Sequence, residues 1–300
     1  MRSIGDLHHP AGTLFDDRVS RKFLWGFRDI WLANHIHPYT RPWVGVVHEP
    51  PGVPAWHGPA RLSPEMMLSS DRLAHSLPHC KGLFTLSEHL RDWIADRVPV
   101  PVEAVPHPTE TPTCYFTPQQ YLDNRERRII QIGRALQRMH SLYLLPTTTL
   151  CKTLLRATDR RADALWEAEL GLLPDGGQRL LGTVEAREFV DGPSYDALLM
   201  RNIVFLDMYA CSASDTLLGC LVRGTPVVVN RLPAVTEYLG ADYPLYFDDL
   251  TEAARKAEDD QLVVSAHEHL MDNPVRRRLT GEHFRARILE SSIYRGLDEV

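Results

Sequence analysis

The feature that most constrains this chain lies between residues 203 and 240, where two apolar runs alternate with two helix signals. Ile203-Val-Phe-Leu206 is short, apolar and rich in β-branched and aromatic residues, which is the signature of a buried strand. Ser214 then stands where a helix needs a cap, the helix runs to Arg223, and Gly224 supplies the stop. Thr225-Pro-Val-Val-Val229 is a second buried strand, and Pro233 opens a second helix that ends near Gly240. A strand, a crossover helix and another apolar strand at this spacing predict parallel pairing within a sheet covered by helices.

The same rhythm runs through the rest of the chain. Residues 20–32 place bulky apolar side chains at helical spacing. Trp43-Val-Gly-Val-Val47 reads as a buried strand that runs into a loop over 48–57, too rich in proline to be helix or central strand. Ser63-Pro64 opens a helix to about Leu77, 82–86 is a strand, and Ser87 caps the helix after it. Residues 102–105 form a short strand closed by Pro106-His107-Pro108. Few apolar residues and several prolines mark 107–126 as a linker, after which Arg128-Ile-Ile-Gln-Ile132 restarts the alternation with Gly133-Arg134 at its turn. A further strand is expected at 179–183, and 251–294 is helical with a break near Asn273-Pro274. Three hundred residues suit two α/β domains, here 1–120 and 121–280, with a last helix over 281–300 packing back on the first. Arg276-Arg277-Arg278 reads as a solvated helix face.

A formal charge of −6 and a pI near 6.2 give no electrostatic support for binding nucleic acid. The apolar runs are too short to span a bilayer. The opening MRSIGDLHHPAG lacks the basic-then-apolar pattern of a signal peptide, and five cysteines form no CxxC pair. A cytoplasmic location with reduced thiols is therefore expected, and a homodimer is compatible with these data.

Chemistry is concentrated where the strands end. Ser212, Ser214 and Thr216 bring hydroxyl groups to a helix N-terminus whose unpaired amides attract anions, and Glu237 lies in the next helix. In open α/β folds such strand ends hold the ligand. His48 and Glu49 follow a strand in the first half and are candidate general bases; Trp56 and His57 in the same loop are candidates for acceptor contact. Asp6, Asp16 and Asp17 are weaker carboxylate candidates, while Trp43 and Trp93 are assigned to packing. His8, His9, His35, His37, His48 and His57 show neither H-E-x-x-H spacing nor a tight triad, so no metal is expected. Pro174-Asp-Gly-Gly177 is a turn signal, and no Gly-x-Ser-x-Gly elbow is present.

The stretch from Ser212 to Gly240, with its Gly224-Thr-Pro-Val-Val strand and following Glu237, resembles the nucleotide-sugar half of the retaining, group 1-type GT-B glycosyltransferases. The Trp43 strand with its His-x-Pro-Pro loop, Gly82-Leu-Phe-Thr-Leu-Ser87, Pro-His107-Pro and Gln131-Ile-Gly133-Arg134 agree with it, so the likeness spans residues 40–250. It implies two Rossmann-like domains facing across a cleft, the N-terminal one abbreviated. It further implies transfer of a sugar from a nucleoside-diphosphate-sugar donor to a small-molecule or glycan acceptor, with no cofactor and no metal. Gly133, Arg134 and Arg138 would meet the diphosphate, Ser212, Ser214, Asp215 and Thr216 would line the phosphate and ribose, and Glu237 would face a donor hydroxyl. His48 would lie across the cleft. One departure stands out: Gly219 and Cys211 occupy the positions where the resemblance implies a pair of glutamates, one of which grips the ribose. Two alternatives stay open: a non-catalytic sugar- or nucleotide-binding protein that has lost those carboxylates, and a sugar-nucleotide epimerase on a similar frame.

Overall fold

The computed structural model describes residues 2–7, 12–23, 34, 38–57, 63–132, 136–156, 160–173, 184–188 and 192–297. In the first half, β1 (Leu14–Asp16), α1 (Val19–Phe23), β2 (Trp43–Val47), α2 (Pro64–Leu68), α3 (Asp71–Ser76), β3 (Cys80–Thr85), α4 (Glu88–Ala95) and β4 (Val102–Ala104) follow one another. The four strands are parallel in the order β1-β2-β3-β4. β2 is buried along its whole length because both of its faces are covered. Trp43 and Val47 face Val19, Phe23, Leu73, Leu90 and Ile94, while the alternate residues Val44 and Val46 face Phe84, Leu86 and the C-terminal helices.

One expectation needs correction here, and one strand was not expected. The helix expected from Ser63 to Leu77 is broken, because the Ser70 hydroxyl accepts from Leu73 N at 3.4 Å and starts α3 afresh. β1 has no counterpart in the sequence reading: three residues are too few to show a period of two. Of the helix expected over 20–32, α1 holds the first part and 24–33 lie outside the described residues.

The second half begins with α5 (Pro118–Asp123) and continues through β5 (Arg128–Ile132), α6 (Ser141–Leu144), β6 (Cys151–Arg156), α7 (Arg160–Leu170), β7 (Glu185–Glu188), α8 (Gly192–Leu199), β8 (Ile203–Leu206), α9 (Asp215–Arg223), β9 (Val227–Asn230), α10 (Pro233–Leu239), β10 (Tyr246–Phe247), α11 (Leu250–Ala257) and α12 (Asp260–Asp272). Its parallel strands lie in the order β10-β9-β8-β5-β6-β7, the doubly wound arrangement whose direction reverses between β5 and β8. Ser214 caps α9 by accepting from Leu217 N at 3.3 Å, and Gly224 ends it with φ 67°, a conformation suited to glycine. Within the stretch read as linker, Phe116 and Tyr121 are buried in the core of the second half. The strand and turn expected at 179–183 and 174–177 lie outside the described residues.

After α12 a 3₁₀ turn (Pro274–Arg278) leads to α13 (Gly281–Glu290) and α14 (Ser292–Arg295). Arg276 is not a solvated helix residue: its Nε donates to the Val222 carbonyl at 3.1 Å. α13 and α14 return to the first half, where Phe284, Ile288 and Ile293 pack on Val44, Val46 and Phe84. Ser292 fastens them there, donating from its amide (2.8 Å) and hydroxyl (2.7 Å) to Glu103. Gly82, at φ 158°, makes room: a Cβ there would sit 2.6 Å from Ile293 Cγ1. No helix among the described residues is long and apolar enough to cross a membrane.

Candidate functional site

The two halves meet at the turn after β3. Ser87 satisfies the third amide of α4 by accepting from Leu90 N at 3.2 Å, which leaves the first two amides open. Glu237, from α10 of the other half, takes both: its carboxylate accepts from Glu88 N at 2.7 Å and His89 N at 2.6 Å. Next to it, the Tyr238 hydroxyl donates to the Leu86 carbonyl at 2.5 Å and accepts from His107 N at 3.3 Å. An acid expected to face a donor hydroxyl thus holds the N-terminus of a helix in the opposite half.

At the end of β2, His48 Nε2 lies 2.7 Å from the Asp17 carbonyl oxygen. A carbonyl can only accept, so Nε2 carries the proton and Nδ1 of the neutral ring bears a lone pair. Burial lowers the pKa of His48 to about 4, with nearby Arg18 and His107 acting in the same direction and the Asp17 bond opposing them. The ring is neutral at pH 7 and able to accept a proton. The His107 ring stands almost perpendicular to it at 6.2 Å, and His107 Nε2 is 3.8 Å from Asp215 Oδ1 at the start of α9. His48, His107 and Asp215 therefore form a polar line from one half to the other. Glu49 is buried with its Oε1 3.6 Å from Arg18 Nε, and burial raises its pKa.

A second junction forms at the switch point. Gly133 and Arg134 lie outside the described residues. The loop after β5 pairs with the loop after β8 through Arg138 N to Asp207 O (2.7 Å) and Tyr209 N to Leu136 O (2.8 Å). Arg138 donates to Asp207 Oδ1 at 2.5 Å and lies 4.5 Å from the centre of the Tyr209 ring. Asp207 Oδ2 accepts from the Ser141 hydroxyl at 2.6 Å. A pocket of about 360 Å³ opens beside Arg138, lined also by Asp207, Asn230, Arg231 and Asp248. The proline-rich loop of the first half reaches this junction. Trp56 meets Tyr209 edge-on at 5.2 Å, and His57 Nε2 accepts from Leu136 N at 3.3 Å.

Ser214, Asp215, Glu237 and His48 are thus placed at one junction, and Arg138, Trp56 and His57 at the other. Thr216 is half-buried in α9, and the Ser212 hydroxyl is buried without a hydrogen-bond partner among the described residues. His107 and Tyr209 were not among the candidates, although His107 follows β4 at the same sheet edge as His48, which is the signal that points to it. At the two positions of the departure, burial and the nearby Glu237 push the Cys211 thiol up to about 12. A Cβ on Gly219 would point at Arg223 Nη1 (3.5 Å) and the Tyr195 hydroxyl (3.9 Å). Among the described residues, no group of three or more His, Cys, Asp or Glu side chains is placed to hold a metal ion.

No protein-family model matches the chain, and no curated protein does. Solved structures are similar to it. HepE from Anabaena, in complex with UDP and glucose, superposes with a TM-score of 0.63 at 14% identity over 87% of this chain and 72% of that one. A UDP-forming α,α-trehalose-phosphate synthase from Burkholderia vietnamiensis gives 0.62 at 12% identity, covering 100% and 77%. Sucrose-phosphate synthase from Thermosynechococcus elongatus gives 0.54 at 14%, covering 90% and 69%. The chain has the GT-B fold, two Rossmann-like halves facing across a cleft, the first abbreviated, with four strands among its described residues.

Proposed function

We propose that this chain is a glycosyltransferase that moves a sugar from a nucleoside-diphosphate donor to an acceptor hydroxyl. Residues 1–120 would carry the acceptor side, 121–280 the donor side, and 281–300 the return to the first half. The observation that carries the reading is His48, a neutral base with a bare Nδ1, linked through His107 to Asp215 on the opposing half. In the transfer, the acceptor oxygen bonds the anomeric carbon as its proton passes to His48 Nδ1, and the bond from that carbon to the diphosphate breaks with the electron pair leaving on the diphosphate. Arg134 and Arg138 would meet the charge of the departing diphosphate, Arg138 exchanging Asp207 for phosphate oxygen. The UDP seated in HepE supports a uridine donor. All five cysteines are free thiols, which supports a reducing, cytoplasmic setting.

A specific observation favours a second reading, a non-catalytic nucleotide- or sugar-binding protein. Glu237 and Arg138 are already engaged within the chain, and Cys211 and Gly219 offer no carboxylate. Thermal shift with UDP and UDP-glucose, followed by product analysis over a panel of acceptors, separates the two. A ligand at about a hundred times its Kd stabilises by about 2.7 kcal/mol. Under the transfer reading His48→Asn keeps this shift and loses turnover. A shift with no turnover on any acceptor supports the binding protein, and no shift with any nucleoside diphosphate or nucleotide sugar overturns both.

A further inference from the structure

A pocket of about 230 Å³ lies where the chain passes from the first half to the second and back again, between residues 109–115 and 271–280. The two passages are themselves tied, Thr109 N donating to the Leu279 carbonyl at 2.8 Å. The pocket shares no residue with the site described above. Its walls differ in character. Tyr115 and Met271, two of the few large hydrophobic side chains left exposed among the described residues, form the apolar wall. Beside them the lining carries Arg276 and Arg277. Arg276 is held in place by the Val222 and Met271 carbonyls (3.1 and 3.3 Å) and lies 5.6 Å from the centre of the Tyr115 ring, so its positive charge has neutral hydrogen-bond partners. Arg277 is exposed and makes no ion pair among the described residues. The acid in the lining, Glu110, is occupied by buried Arg223, whose Nη2 lies 2.6 Å from its carboxylate. The cavity therefore presents two uncompensated guanidinium groups on a chain whose net charge is −6, so any attraction for an anion is local to it.

We propose that this pocket binds a small phosphomonoester such as a sugar phosphate. Paired guanidinium groups suit a phosphate dianion, the Thr109 and Thr111 hydroxyls suit the hydroxyls of its body, and Tyr115 suits an apolar face. The volume is below the range of about 300–1,000 Å³ that takes drug-sized ligands, which excludes a whole nucleotide sugar. A dianion here bridges both passages and stiffens the hinge between the halves. The site does not depend on any transferase activity. Titration calorimetry of the full chain with glucose 6-phosphate, inorganic phosphate and glucose tests it, together with amide exchange over 109–115 and 271–280. Glucose 6-phosphate should bind saturably and protect both segments. Arg277→Gln, an exposed substitution whose folding is checked by circular dichroism, should weaken binding about tenfold or more, since a bond to a charged group is lost. Absence of binding or of protection at these segments overturns the proposal, as does equal affinity for inorganic phosphate or for glucose, or unchanged binding by folded Arg277→Gln.

Discussion

Replacing Glu237 by glutamine keeps the length of the side chain and removes its charge and one of its two acceptor oxygens. In the native chain those oxygens meet Glu88 N at 2.7 Å and His89 N at 2.6 Å, at the positive end of α4. A side-chain cap contributes about 1 kcal/mol and an anion at a helix N-terminus about 0.3–1 kcal/mol more. Glu237 is exposed, so solvent screening holds the sum to the lower end. One acceptor survives in glutamine, and the net loss is about 1 kcal/mol, or about fivefold in the opening equilibrium of this contact. Native-state hydrogen exchange reads it directly. The Glu88 and His89 amides should exchange about fivefold faster in the variant, while Leu90, whose amide is held by Ser87 in the same half, changes less. High salt should narrow the difference between the two proteins. Unchanged exchange at Glu88 and His89 refutes the reasoning, and so does an equal acceleration at Leu90, which would mean that α4 frays as a whole rather than losing its partner.

Two further outcomes follow from the same geometry. The depressed pKa of His48 means that the unfolded chain takes up a proton below about 6.5 while the folded chain waits until about 4, so stability falls as pH drops through that window. Urea unfolding at about pH 7 and about pH 5 should show His48→Asn losing up to about 2 kcal/mol less than the native chain, and equal losses would show that the ring is not held neutral. Gly82→Ala places a methyl group 2.6 Å from Ile293 Cγ1, in contact with a side chain that is itself buried, and should cost about 1–3 kcal/mol by scanning calorimetry. Adding Ile293→Ala should recover part of the loss from Gly82→Ala; a double variant whose costs simply add would refute the clash.

The legible parts of the fold were those whose signal is complete within one element. β2, β8 and β9 are almost wholly buried, and such strands appear as unbroken apolar runs. Ser63, Ser87 and Ser214 cap the helices that their spacing predicts, each accepting from the amide three residues on. β7 could not be read this way. Its sequence Glu-Ala-Arg-Glu is exposed throughout, and it is held at the sheet edge by pairing with β6 and by the Arg128–Glu185 ion pair. The site was harder still, because what decides a residue's role there lies far off in the chain. Glu237 could be recognised as a helix acid, but its partners are 148 and 149 residues away. The tautomer of His48 is set by a carbonyl 31 residues away, and no local pattern encodes that pairing.

The same long-range contacts bear on Cys211 and Gly219, the positions where the resemblance implies glutamates. Cys211 is buried within electrostatic reach of Glu237, and its thiol remains protonated. A carboxylate at 211 would be desolvated beside an acid already committed to α4, and the two like charges would oppose each other. A neutral thiol adds no charge to compete with Glu237. At 219 the side chain would point at Arg223, which already carries Asp196 at 2.8 Å and Glu110 at 2.6 Å. A third acid there adds repulsion and supplies no missing partner. At 219, then, the cation that a glutamate would address is satisfied by acids from other elements, Asp196 from α8 and Glu110 from the passage between the halves. Glu237, Asp196 and Glu110 join elements of the chain to one another. The contact between the halves at α4 is therefore built from groups the chain itself supplies, Glu237 on one side and the Glu88 and His89 amides on the other.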